Sequence, residues 1–413
     1  MKIAILGFGN IGTRLYEEIL FFHKNIEVVK ILVQNVKKTR PVAFGGITSD
    51  FGKILKDKSI DTVVDVTCGT GSLEYIRKSL EAGKNVITAN KLAVSEAGAE
   101  FIKLAKEKNI NFYFEACVGG GIPIVNLFNE NFKFHRIKKV TGILNGTTNY
   151  ILTQMADEGM DFKSALILAQ EKGFAEPDPT FDISGKDAAY KVSILKDLLF
   201  ESKTHIDDIL CKGIHNISSA DLNYAKSIGC SIKLLGTIET VDNKLALSVQ
   251  PIFLRNSHPL ANVKNEFNAL FIEGEPIGEI MLFGRGAGAG PTTASLISDI
   301  LRIERHEEVI FNESYAGIKP KCELIDINSR VQPNYLRLKV LDIPGVISKI
   351  AACFESNEIS IASMEQKTAL EGSPVDVIFT THPCSYGIFN EMLKQIKNFD
   401  FILDEPVWFK IAN

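Results

Sequence analysis

The stretch GFAEPDPTFDISGKDAAYK, residues 173–191, sets four acids and two lysines around two prolines and two glycines. Asp187 and Lys191 stand four residues apart, so on a helix they share one face and the carboxylate can orient the ammonium. Such an ammonium beside a reacting carbonyl can stabilise growing negative charge or donate the proton. Lys91, in Thr88-Ala89-Asn90-Lys91 at the end of a predicted strand, offers a second one. The plainer readings are a solvated ion pair worth a few tenths of a kcal/mol and a surface lysine.

What must position these groups is legible from the amino terminus onward. An apolar strand over residues 2–6 runs into Gly7-Phe8-Gly9-Asn10-Ile11-Gly12 and then into helical spacing over 13–20. Strand, glycine turn and helix suit a dinucleotide pyrophosphate. Gly7 allows the turn, Gly9 the close approach of backbone to phosphate, and Gly12 the packing of helix on strand. A second strand over 28–33 ends at Gln34-Asn35, where a strict NAD site carries an acid, and continues into Lys37-Lys38-Thr39-Arg40. A cationic loop suits a 2'-phosphate, which favours NADP and leaves NAD possible. Strands over 61–67, 85–88 and 111–115 alternate with helices over 71–83 and 96–108, the pattern of a doubly wound parallel sheet. The strand ends, where ligands of such sheets sit, carry Thr67-Cys68-Gly69-Thr70, Lys91, and Glu115-Ala116-Cys117-Val118-Gly119-Gly120-Gly121-Ile122-Pro123. Beyond Pro123 that alternation stops. A strand over 138–144 precedes Asn145-Gly146-Thr147-Thr148-Asn149, an anion-binding corner or a helix capped by Thr148 or Asn149. A helix over 162–172 follows; Glu176-Pro177-Asp178-Pro179 is expected to be extended. Ser184 is then the expected cap of the helix that carries Asp187 and Lys191.

A chain of 413 residues exceeds one ordinary core, so two or three domains are expected. A net charge of -4 gives no reason to expect nucleic acid or an anionic membrane as partner. The seven cysteines form no CxxC pair and read as reduced thiols of a cytoplasmic protein, and no stretch is long and apolar enough to span a membrane.

Taken in order, the blocks GFGNIG, TANK, EACVGGGIP, GILNGTTNYIL, GFAEPDPTFDISGKDAAYK and GRGAGAGPTTAS closely resemble homoserine dehydrogenase, over residues 7–295. With no kinase-sized segment before Met1, the resemblance is to the monofunctional form. It implies reversible NAD(P)-dependent reduction of L-aspartate 4-semialdehyde to L-homoserine. Lys191 and Lys91 match the family lysines proposed to handle the proton, with Lys191, steered by Asp187, the first choice and Lys91 its alternative or partner. Glu176, Asp182 and Asp187 match acids of the substrate site, and Gly146 and Thr147 lie where the family contacts substrate. The glycine loop from Gly7 to Gly12, Thr67, Lys91 and Gly286 match the cofactor site. Glu115 with the carbonyls of Val118, Gly120 and Ile122 matches a monovalent cation site, usually sodium. Two departures stand out: the segment Asp65–Thr70 is richer in thiol and hydroxyl groups than is usual, and Gln34 replaces a common arginine.

The resemblance divides the chain into a Rossmann-type domain over 1–125, completed by about 286–325, and an α+β substrate and dimerisation domain with a mixed sheet over 126–285. From 333 to 413 the order βαββαβ, with Asp342-Ile343-Pro344-Gly345 at its first turn, resembles an ACT domain. That implies feedback by L-threonine near Asp342–Val346, against the alternative of a module that only oligomerises, and a homodimer or homotetramer. The rival functions are a non-catalytic cofactor-binding sensor and a nicotinamide reductase acting on another small aldehyde or keto acid.

Overall fold

The computed structural model describes residues 1–132, 135–202, 204–307, 322–367 and 370–412. It contains two compact units, one of Met1–Val140, Asp187–Ile209 and Glu266–Cys322, the other of Thr141–Lys186, Leu210–Asn265 and Glu323–Asn413. Among the described residues no helix is long and apolar enough to cross a membrane.

The first unit opens with strands β1 (Lys2–Leu6), β2 (Glu27–Leu32), β3 (Ile47–Thr48), β4 (Thr62–Asp65), β5 (Asn85–Thr88) and β6 (Phe112–Tyr113). All pair in parallel in the order β3-β2-β1-β4-β5-β6. That order reverses direction between β1 and β4, so a crevice for a ligand opens beyond Leu6 and Asp65. Helices α1 (Asn10–Phe22), α2 (Gly52–Leu55), α3 (Gly71–Glu81), α4 (Lys91–Lys108) and α5 (Ile124–Glu130) intervene or follow. β1 is buried from Ile3 to Leu6, as a central parallel strand covered on both faces must be.

The chain then passes through β7 (Arg136–Ile143) to α6 (Gly146–Asp157), α7 (Phe162–Glu171), α8 (Thr180–Ile183) and α9 (Lys186–Leu199). Three starts differ from the sequence reading. α4 begins at Lys91, five residues before Glu96, because the Asn90 side chain accepts from the Ala93 amide at 3.0 Å. α6 begins at Gly146, capped by Asn145, which accepts from Thr148 N at 2.8 Å. Ser184 does not open α9. It ends α8 in a helical conformation, with Gly185 at φ +85° turning the chain into α9.

After α9 come β8 (Leu210–Cys211), α10 (Ser219–Ser227), β9 (Cys230–Val241) and β10 (Lys244–Arg255). β9 and β10 form an antiparallel hairpin in register from Lys244 opposite Val241 to Arg255 opposite Cys230. β11 (Phe267–Glu275) and β12 (Gly278–Arg285) make a second hairpin, and α11 (Ala289–Glu304) follows. α11 sends Leu296, Ile297, Ile300 and Ile303 into the core of β1, β2 and α1, so the chain returns to the nucleotide-type sheet. Residues 308–321, within the expected return to that sheet, lie outside the described residues.

The carboxyl-terminal part runs β13 (Val331–Gln332), β14 (Asn334–Leu341), α12 (Val346–Ser356), β15 (Ile361–Gln366), β16 (Pro374–Thr381), β17 (Cys384–Ser385), α13 (Tyr386–Lys397) and β18 (Val407–Ile411). β18-β14-β16-β15 form one antiparallel sheet around a core of Leu336, Leu338, Phe354, Phe379, Phe389 and Met392. β18 also pairs in parallel with β10, Ile252 opposite Lys410 and Phe253 opposite Ile411. The module is thus edge-bonded to the middle segment, and Tyr335 stacks on Phe253 with ring centroids 4.6 Å apart.

Candidate active site

Beyond β1, Gly7 takes φ +103° and donates its N–H to the Leu32 carbonyl. A Cβ on Gly12 would lie 2.2 Å from the Gly7 oxygen, whereas one on Gly9 would meet no atom of the described residues within 4 Å. Gly12 is therefore demanded by helix-on-strand packing. Gly9 leaves the N-terminus of α1 open to an anion. After β2, Arg40 donates to the carbonyls of Lys38 and Asn35 at 2.7 Å and lies over the Phe8 ring, so the cationic loop folds back on the glycine turn.

Asp65, at the end of β4, is fully buried and organises the next loop. It accepts from Thr67 N and Oγ1, from Thr88 Oγ1 at 2.9 Å and from Ser72 Oγ. Burial pushes its carboxyl up, and the three hydroxyl groups oppose that push. Asn90 donates to the carbonyls of Thr67 and Gly69, which fixes the Thr67 turn against the start of α4. Neither Asp65 nor Asn90 was singled out for this role from sequence. Asn directly before a helix was the available signal.

The capping of α4 at Asn90 places Lys91 in its first turn, and there the first unit assembles its central feature. Lys91 Nζ lies 2.5 Å from Asp187 Oδ1, and Lys191 Nζ lies 2.7 Å from Asp187 Oδ2. One carboxylate is shared by two ammoniums, with Asp187 and Lys191 buried and Lys91 about one-third exposed. Burial pushes the Asp187 carboxyl up, but Lys191 and Lys91 outweigh it and hold the group far below the usual carboxylate range. The anion is therefore permanent at working pH, and it fixes both ammoniums.

Glu115 begins a 3-10 turn and is buried. Its oxygens accept from Val125 N at 2.9 Å and Asn126 N at 2.7 Å, and burial still pushes its carboxyl up to about 7. Val118 and Ile122 are buried, and the Gly120 carbonyl accepts from Ser295 Oγ at 2.5 Å. Gly120 at φ +57° packs on Gly286, with its would-be Cβ 2.5 Å from the Gly286 carbonyl carbon. Among the described residues no group of three His, Cys, Asp or Glu side chains could hold a metal.

In the second unit Asp182 is held by Asn145 Nδ2 at 2.7 Å and by Thr147 Oγ1 at 3.2 Å, while Thr147 Oγ1 also lies 2.5 Å from the Phe174 carbonyl. Gly146 opens α6 beside them. Glu176 is exposed, its carbonyl held by Gln170 Nε2 at 3.1 Å. Acceptor and hydroxyl groups at a helix start can bind the polar end of a small zwitterion.

Two family models match the chain: "Homoserine dehydrogenase, NAD binding domain" over residues 7–115 and "Homoserine dehydrogenase" over 123–301. The homoserine dehydrogenase of Bacillus subtilis is 32% identical, covering 100% of this chain and 98% of its own. The chain belongs to the homoserine dehydrogenase family. A solved homoserine dehydrogenase from Thiobacillus denitrificans superposes with a TM-score of 0.90 at 30% identity, covering 100% of this chain and 98% of that one. A hyperthermophilic archaeal homoserine dehydrogenase in complex with NADPH gives 0.62 at 25% identity, covering 75% and 99%. The enzyme of this family catalyses NAD(P)-dependent interconversion of L-homoserine and L-aspartate 4-semialdehyde, an oxidoreduction at the CH-OH group, in amino-acid biosynthesis. The rival functions, a sensor and a reductase of another carbonyl compound, are set aside with it.

Proposed function

We propose that Lys191 is the proton donor to the aldehyde oxygen of L-aspartate 4-semialdehyde, with Lys91 as its partner. The observation that supports this is the single buried carboxylate of Asp187 held between both ammoniums. The shared anion orients the two cations, and either cation can stabilise the oxyanion as it forms. The reduced nicotinamide, when bound, supplies the hydride. The proton then comes from the lysine, and in the oxidative direction the lysine takes it back. Asp182, Thr147 and Gly146 hold polar groups of the substrate, and Glu176 accepts from its α-ammonium.

The preferred cofactor is NADP. Gly7, Phe8, Gly9, Asn10, Ile11 and Gly12 receive the pyrophosphate, while Thr67, Lys91 and Gly286 border the nicotinamide half. Lys37, Lys38 and Arg40 offer cations to a 2'-phosphate, and no acid follows β2 to oppose it. Glu115 and the carbonyls of Val118, Gly120 and Ile122 hold a monovalent cation, sodium. The fit rests on a buried carboxylate whose burial cost the Val125 and Asn126 amides offset only in part, and on oxygen donors, which suit a hard cation. Residues 333–413 act as an ACT module that senses L-threonine. Free cysteines throughout suit a reduced cytoplasm, and the working form is a homodimer or homotetramer.

Steady-state oxidation of L-homoserine with NADP and with NAD separately tests the cofactor reading. NADP is expected to give a kcat/KM about tenfold or more above that of NAD, the worth of one charge-assisted hydrogen bond. Equal values with both would remove the role given to Lys37, Lys38 and Arg40.

A further inference from the structure

Lys212 belongs to neither cluster described above, yet its main chain and its side chain reach two different parts of the second unit. Its N–H donates to Val249 O at 2.7 Å, extending the pairing of β8 with β10. The residues around it form a mould for the turn between α8 and α9. Ile214 N donates to Ile183 O at 2.9 Å, and Cys211 Sγ lies 3.4 Å from Ser184 O. A Cβ on Gly213 would lie 2.2 Å from the Ile183 oxygen, and one on Gly185 would lie 3.3 Å from the Lys212 oxygen. A shift of residues 211–214 must therefore move residues 183–185, directly beside Asp182.

The side chain of Lys212 ends on the carboxyl-terminal module. Its Nζ lies 2.8 Å from the centroid of the Trp408 ring and 5.6 Å from that of Tyr386, and these two rings touch at 5.3 Å. The ammonium is buried and has no hydrogen-bond partner among the described residues, and burial pulls it down to about 7. The ring faces are what favour the cation there. Moving Trp408 or Tyr386 strips the ammonium of that compensation, so a rearranged module destabilises Lys212 where it stands.

We propose that Lys212 is a positioning residue that couples the Trp408–Tyr386 face of the carboxyl-terminal module to the turn beside Asp182, so that the module's conformation sets how homoserine is held. The inference rests on Asp182 as a substrate-binding group. Coupling is reciprocal, so homoserine binding must be felt at Trp408. Trp408 is the chain's one tryptophan, which makes the test direct.

Tryptophan emission is followed while L-homoserine is added to the full-length protein, alone and with NADPH, with which homoserine cannot react. The natural protein is expected to show a saturable change in emission. Lys212→Met is expected to lose that change and to raise the KM for homoserine about fivefold or more, within the usual range of coupling between sites, while kcat stays within about twofold. A flat emission titration in the natural protein, or a Lys212→Met variant with the natural KM, overturns the proposal. Asp182→Asn separates the two readings. If it leaves KM unchanged, the substrate role of Asp182 falls and the coupling falls with it. If it raises KM while the emission of the natural protein stays flat, only the coupling falls.

Discussion

Asp187 is the residue on which the proposed chemistry turns, because its carboxylate fixes two ammoniums that arrive from different helices. Half of that arrangement is legible in the sequence: the spacing of Asp187 and Lys191 puts them on one helix face whatever the fold. The other half, Lys91 on the same carboxylate, is a tertiary contact that no local pattern encodes. Ser184 misled for a related reason, since a serine between two helices looks like a cap for the second while it closes the first. The Asp187 carboxyl lies below its unfolded value, about 3.9, so its stabilising contribution is complete above that pH. It is lost only as pH falls through the lower folded value. Thermal melts of Asp187→Asn against the natural protein should show a lower midpoint for the variant at pH 7, a gap that persists to pH 5 and narrows only in stronger acid. Equal midpoints at pH 7 would contradict the packing of both lysines on this anion.

At the scale of elements, the strand-turn-helix at the amino terminus was readable because each of its glycines answers to a separate geometric need. Gly9 and Gly12 now give that reading a sharp contrast. A methyl at Gly12 collides with the Gly7 carbonyl, an overpacking expected to cost about 1–3 kcal/mol and to lower the melting temperature. A methyl at Gly9 meets no atom of the described residues within 4 Å, so Gly9→Ala is expected to keep the natural melting temperature and weaken NADP binding, as read by cofactor titration. Equal losses of stability in both variants would contradict the assignment of Gly9 to the ligand. The helix starts at Lys91 and Gly146 were misjudged because asparagine caps reach three residues ahead, and apolar periodicity gives little weight to that first polar turn.

For the whole molecule, the order βαββαβ after residue 333 was legible from alternation and turn residues, but its attachment was not. Pairing of β18 with β10 and the burial of Tyr335 against Phe253 are long-range contacts. They make removal of residues 333–413 a poor test of regulation, because it would uncover the Phe253 face and unpair an edge of β10. A point change in the Asp342 turn is cleaner: Asp342 Oδ1 accepts from Gln366 Nε2 at 2.9 Å and shapes the loop before α12. Asp342→Asn is expected to keep kcat and to lose at least about fivefold in sensitivity to L-threonine, measured as the inhibitor concentration that halves the rate. Natural protein that ignores L-threonine altogether would contradict the threonine reading.

That the Asp187-centred lysine pair moves the proton is tested by the oxidation of L-homoserine by Lys191→Ala beside the natural protein. NADP affinity is measured on both by titration. In Lys191→Ala kcat is expected to fall by about 10²–10⁴, the usual weight of a positioned acid-base group, with the affinity for NADP unchanged. A kcat within about threefold of the natural value, in a folded variant that binds NADP normally, would contradict it.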